Sequence, residues 1–287
     1  MKAEKKGVGT KAKIRAEKEK ERRQVNAIFL TLILTTLVLS AYFAYTILSG
    51  PSSEQKPVEP SSQSGPENPN TNLKAAIVDQ LSLTFPNQTF IETATSTLTR
   101  AGYTVDYFRG EKVTVEFYRN LPTHGYSLII LRAHSTGAAL EGKEFVESPV
   151  FFFTSENYSQ TKYVQEQLTD QLRMGSYSMP QPPYYFGITP KFVTTSMKGA
   201  FQKTTVVMMG CEGLNNTRMA EAFVEKGAKV YIGWTSLVSA SYTDQGTAHL
   251  LQHLITQKET IKQAVDDTMK EVGPDPAYNS QLTYYPT

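Results

Sequence analysis

The sequence predicts an α/β domain on a mostly parallel central sheet, preceded by one transmembrane helix. Three observations predict it. Residues 27–49 (AIFLTLILTTLVLSAYFAYTILS) run for 23 positions without a charge. Residues 74–287 alternate short apolar runs with amphipathic stretches, the pattern of a parallel sheet with helices on both faces. Two of the apolar runs end in polar loops that open with a histidine and with the single cysteine of the chain.

At about 1.5 Å per residue, residues 27–49 make a helix of roughly 34 Å, long enough for a hydrocarbon core. Tyr42 and Tyr45 sit near its end, where interfacial aromatics are expected. Residues 1–26 hold ten Lys/Arg against four Glu, leaving 19 Lys/Arg and 23 Asp/Glu for the rest of the 287 residues. A basic head alone reads as a nucleic-acid tail; placed just before an apolar span, it reads as a cytoplasmic tail under the positive-inside rule. A cleaved signal peptide has an apolar core of about 7–15 residues and a small-x-small site after it, and neither fits here. The expectation is a single-pass cell-membrane protein with its N-terminus in the cytoplasm. Residues 50–73, rich in Pro, Ser, Glu and Asn, then serve as a spacer without a core. Sequons at Asn87, Asn157 and Asn215 support export only weakly.

The exported domain spans 74–287. Residues 74–83 begin as a strand, 90–100 form a helix ending at Ala101-Gly102, and 103–108 form the second strand. Residues 113–120 make a short helix limited by Leu121-Pro122. Residues 127–133 (SLIILRA) are a buried third strand. The pattern weakens next: 150–153 read as a strand, 160–174 as a helix, and the Pro- and Tyr-rich 179–195 as a hairpin or flap. It sharpens again with a strand at 204–210 (TTVVMMG), a helix at 218–226 stopped by Gly227, and a strand at 228–234. Two more helices follow at 244–256 and 260–272, the second stopped by Gly273-Pro274.

Ligands of open α/β sheets bind beyond the carboxyl ends of the strands. Cys211 follows directly on TTVVMMG, and His134 on SLIILRA. A lone cysteine in an exported chain has no internal disulfide partner. It is either a buried small residue or a working thiol. The polar run Asn215-Asn216-Thr217 after Glu212-Gly213 argues that the chain leaves the sheet there. His134 alone reads as a hydrogen-bonded surface residue. If the two strands are parallel neighbours, imidazole and thiol emerge on one edge, where the first can activate the second.

The runs LIILRAHS and VVMMGCEG resemble the two catalytic strands of the caspase-like cysteine peptidases, a group that includes caspases, gingipains, clostripain, legumain, separase and CHAT domains. MAEAFVEKGAKVYIGW is similar to the helix-Gly-Ala-strand-Trp run of the gingipain and CHAT relatives, and Thr243-Asp244 through Leu254 to the helix after it. The resemblance covers residues 74–273. It implies a three-layer sandwich and an endopeptidase acting on a polypeptide, without metal or organic cofactor, which the apolar span at 27–49 would tether to the membrane. It also implies that Cys211 attacks the peptide carbonyl, that His134 is general acid/base, and that the backbone N–H groups of Cys211 and Ser135 form the oxyanion hole. The family usually has Gly after the His; here Ser135 stands there and the glycine is Gly137.

For specificity, relatives often use an acidic S1 residue to select Arg or Lys. Asp244 is placed for that role or as a helix N-cap. Trp234 either walls the S1 pocket or lies in the core, and Glu212 either orients a backbone group or is solvated. His249 and His253 share a helix face but lack the spacing of a zinc peptidase and read as non-ligands. His124 has no evident partner. There is no glycine-rich phosphate loop and, outside the head, no basic patch for nucleic acid. A different class of function also fits the pattern: an inactive caspase-like scaffold docking a partner through the aromatic residues 184–186. A zymogen cut within 137–199 is a third.

Overall fold

The computed structural model describes residues 73–137, 149–177 and 182–287. The tail, span and spacer expected up to residue 72 lie outside them. Among the described residues, no helix is long and apolar enough to cross a membrane.

Among the described residues, ten strands form two sheets. The six-stranded sheet has the order β10-β9-β8-β3-β1-β2, with β1 Lys74–Asp79, β2 Thr104–Arg109, β3 Leu128–Arg132, β8 Thr205–Met208, β9 Val230–Trp234 and β10 Leu282–Tyr285. Only the β9–β10 pair is antiparallel. The smaller sheet, order β4-β5-β7-β6, is antiparallel: β4 Ser135–Gly137, β5 Val150–Asn157, β6 Leu172–Gly175 and β7 Tyr185–Ile188.

The central strands are apolar on both faces because both are covered. Ala75, Ile77, Ile130, Val207 and Ile232 point into one core, shared with α1 Gln88–Arg100, α6 Ala240–Leu251 and α7 Ile261–Val272. Ala76, Val78, Ile129, Leu131 and Val206 point into the other. There they meet α2 Val115–Asn120, α4 Pro190–Thr195, α5 Arg218–Glu225 and the smaller sheet, through Tyr118, Phe192, Phe223, Phe152 and Phe186. The result is three layers.

Local chemistry sets the helix ends. Asn87 caps α1 by accepting from the Phe90 N–H at 3.1 Å. Thr260 and Gln263 form a capping box at the start of α7. Gly227, at φ 104°, ends α5 where a Cβ would stand 2.3 Å from the Phe201 carbonyl oxygen, so no larger residue fits.

Three sequence expectations change. The helix over 160–174 is only α3, Val164–Leu168, followed by strand β6. Asp170 takes a left-handed φ of 57°, which stops the helix and turns the chain into the pairing with β7. The segment 179–195, expected as a hairpin or flap, holds core strand β7, which pairs antiparallel with β6, and helix α4. The helix expected at 244–256 begins four residues earlier, at Ala240, and ends in a π-helical turn over Gln252–Thr256. Residues after 273 contribute β10, which completes the main sheet.

Candidate active site

β3 and β8 are parallel neighbours, with Leu131 opposite Met208. His134 and Cys211 each stand three residues beyond that last paired position. Both line one cleft of about 720 Å³ at the carboxyl edge of the sheet. That volume lies within the usual range for ligand pockets. Phe85, Met209 and Val238 give it apolar walls, and Arg132 and Asp244 form part of its polar lining.

The two strand ends are held together by their loops. Gly210 approaches so closely that a Cβ there would lie 2.3 Å from both the Ala133 carbonyl oxygen and Ser135 Oγ. Ser135 Oγ donates to the Cys211 carbonyl at 2.5 Å. Glu212 is buried, at φ 59°, and accepts from the Gly137 N–H at 2.6 Å. Of its two sequence readings, orienting a backbone group is the one the geometry has. Burial pushes its carboxyl up, and the Gly137 N–H and Thr136 hydroxyl hold it down in part. A non-glycine residue at positive φ costs on the order of 1 kcal/mol or more, and such strain collects at functional sites.

His134 is half-buried in an aromatic nest. Its ring stacks on Tyr177 at 4.2 Å and meets Phe85 and Phe153 edge-on at 5.9 and 6.2 Å. Gln80, fully buried, accepts the His134 backbone N–H at 2.9 Å through Oε1 and donates through Nε2 to the Tyr177 hydroxyl. Thr84 Oγ1 lies 2.9 Å from His134 Nε2. Burial, helped by the nearby Arg132 charge, pulls the imidazole pKa down to about 4, so the ring is neutral at pH 7.

Cys211 is half-buried, and its thiol donates to the Val238 carbonyl at 3.6 Å. Burial, and after it the Glu212 and Asp275 carboxylates, push the thiol up from its ordinary value. The resting pair is therefore thiol and imidazole, not thiolate and imidazolium. Phe153 donates to the His134 carbonyl, which puts Ser135 at a non-hydrogen-bonded position of the β4–β5 ladder. Its N–H therefore points away from β5. Among the described residues, no backbone carbonyl accepts from the Cys211 N–H. Both groups expected in an oxyanion hole are thus outside the sheet ladders.

Asp244 sits inside α6, whose cap residue is Ser239, so it is not the N-cap. Its carboxylate reaches the cleft but is committed. Arg132 Nε and Nη2 donate to its two oxygens at 2.7 and 2.8 Å, and Asn87 Nδ2 donates at 2.8 Å. Arg132 is fully buried and also donates to Asp79 at 2.7 Å and to the Phe85 carbonyl at 2.7 Å. Burial works against its charge, but Asp244 and Asp79 outweigh that and hold the guanidinium above its ordinary value. Trp234 lies in the core, fully buried, with its indole N–H donated to Thr243 at 2.8 Å. Packing therefore gives it the core position rather than a pocket wall.

The sequence reading missed Thr84, Gln80, Tyr177 and the Arg132 pairing. Arg132 alone carried a signal: a cation in an apolar strand run needs a buried acid partner. The aromatic residues proposed for docking a partner are not a surface patch. Phe186 is fully buried and Tyr185 stacks on Tyr177 at 4.8 Å. No family model matches the chain, and no curated protein matches it.

Proposed function

We propose that the chain is a caspase-like cysteine peptidase, anchored to the cell membrane through residues 27–49 and acting outside the cytoplasm with a His134/Cys211 dyad. The observation that carries the proposal is that both residues line one cleft, at matched positions beyond two adjacent parallel strands. The runs LIILRAHS and VVMMGCEG that carry the resemblance fall on β3 and β8. The anchor rests on the apolar pattern and the basic head alone.

Catalysis starts from two neutral groups. As a peptide carbonyl meets Sγ, the thiol proton passes to His134, the S–C bond forms, and the carbonyl oxygen takes the negative charge beside the Cys211 and Ser135 N–H groups. Collapse breaks the C–N bond, and His134 gives its proton to the leaving amine. Water, deprotonated by His134, then hydrolyses the thioester. If Nε2 carries the resting proton and donates to Thr84, the lone pair on Nδ1 is the base. The paired Asp244 makes a poor free acid for selecting a basic residue, so specificity rests first on the apolar walls.

An inactive scaffold is the second reading, and the un-ionised thiol bonded to Val238 is what favours it. A peptidyl acyloxymethyl ketone under reducing conditions separates the two. Labelling of the wild type and not of Cys211→Ala supports the peptidase; absence of labelling in both supports the scaffold.

A further inference from the structure

Between α6 and α7 the chain makes a π-helical turn, Gln252–Thr256, and then takes a left-handed φ of 58° at Lys258. π turns and strained residues recur where a side chain has to be aimed. Here they bring His253 and Glu259 together. His253 is 4% exposed, and the Glu259 N–H donates to its carbonyl at 3.1 Å. One nitrogen of His253 and one carboxylate oxygen each of Glu259 and Asp267 all lie within 4.8 Å of one another. His253 Nδ1 is 3.1 Å from Glu259 Oε1, and Nε2 is 3.3 Å from Glu271 Oε2. That Glu271 oxygen also meets His249 Nδ1 at 2.7 Å. His253 Nε2 and Glu259 Oε2 are nevertheless buried without a hydrogen-bond partner.

This arrangement calls for a cation. Carboxylates flank both nitrogens of His253, so the pocket is built for positive charge, held either by an imidazolium that donates to both or by a metal ion on the lone pair of the neutral ring. Leaving buried polar atoms unsatisfied costs about 1–3 kcal/mol each. We propose that His253, Glu259 and Asp267 form a binding site for a divalent transition-metal ion of the zinc type. A nitrogen donor with two carboxylates suits zinc or manganese, whereas calcium takes oxygen ligands throughout. The ion would sit at Nδ1, beside Glu259, with Nε2 left facing Glu271, the usual place of an outer partner to a metal-bound histidine. Lys270 now pairs with Asp267 at 2.5 Å, but its side chain is 74% exposed and releases at little cost.

The site lies away from the cleft. Ala240 and Asp244, in the first half of α6, line the cleft, whereas Leu254, Ile255 and Glu259 lie beside Ser127, Thr205 and Lys229 at the opposite sheet edge. A bound ion would clasp the turn to α7. A proton is the ion's competitor. The ligands must be deprotonated to hold the ion, so metal affinity falls as pH drops.

The test is calorimetric titration of zinc sulfate into the full chain, stripped with EDTA and free of a polyhistidine tag. All samples carry Cys211→Ala, so the thiol cannot be a ligand and the result is independent of the proposed peptidase. The expected result is one zinc ion per chain. Asp267→Asn, at a half-buried position, and Glu259→Gln should each weaken binding by about tenfold or more, with excess calcium failing to compete. No zinc binding, equal affinity in the variants, or displacement by calcium overturns the proposal.

Discussion

Both members of the proposed dyad, His134 and Cys211, rest uncharged, and their buried surroundings explain why. A thiolate–imidazolium pair would be alkylated at a rate already flat in mildly acidic solution. With the thiol raised above its ordinary value of 9.0, the iodoacetamide rate of Cys211 should instead keep climbing through pH 9. A plateau between about pH 5 and 8 would contradict the geometry. The same burial links His134 to stability. Its pKa is about 4 when folded against 6.5 when unfolded, so the unfolded chain binds more protons between those values. Stability is therefore highest above pH 6.5 and falls as pH drops toward 4, by on the order of 3 kcal/mol from this group. Urea melts at pH 7 and pH 4 should show that loss in the wild type and a smaller one in His134→Gln; equal losses would refute the assignment. Arg132 is the other residue with a large stake. Removing it strands two buried carboxylates, so Arg132→Leu should cost about 3–5 kcal/mol. Asp79→Asn and Asp244→Asn together should recover part of that. That His134 and Cys211 share one cleft was legible in the sequence because each follows an apolar run. The supports of His134 were not. Gln80 and Thr84 meet His134 from 54 and 50 residues away, and no local pattern marks such contacts.

At the scale of elements, the site is two strand ends sewn together by short loops. The Ser135 hydroxyl, the Glu212 carboxylate and the bare Gly210 do the sewing. Gly210→Ala places a methyl 2.3 Å from the Ala133 carbonyl oxygen, which is backbone and cannot swing aside. The expected cost is about 1–3 kcal/mol, with cleft geometry lost as well. A variant with unchanged thermal midpoint and unchanged Cys211 alkylation would show the approach to be looser than described. The parallel strands and most helices were legible because their apolar periodicity is strong. The stretch from 150 to 195 was not. There a small antiparallel sheet takes its stability from stacking on the second core, through Phe152, Phe186 and Ile188, rather than from local pattern. A left-handed Asp170 cannot be anticipated from composition. The terminal strand Leu282–Tyr285 was missed because its only partner, β9, lies 48 residues upstream in the register Leu282 to Trp234.

For the whole molecule, three layers leave one sheet edge free for the cleft and put the His253 cluster at the other. The anchor expectation belongs to this scale too. The full chain should remain in the membrane pellet after washing at high pH, whereas a chain beginning at residue 50 should not pellet; release of the full chain would remove the tether. The proposed peptidase stands on Cys211 acting as a nucleophile served by His134. Intact-mass and peptide mapping after treatment with a peptidyl acyloxymethyl ketone measures this. A single adduct on Cys211 is expected in the wild type, lost in His134→Ala with the fold retained. An unlabelled wild type, or equal labelling without the imidazole, would contradict it.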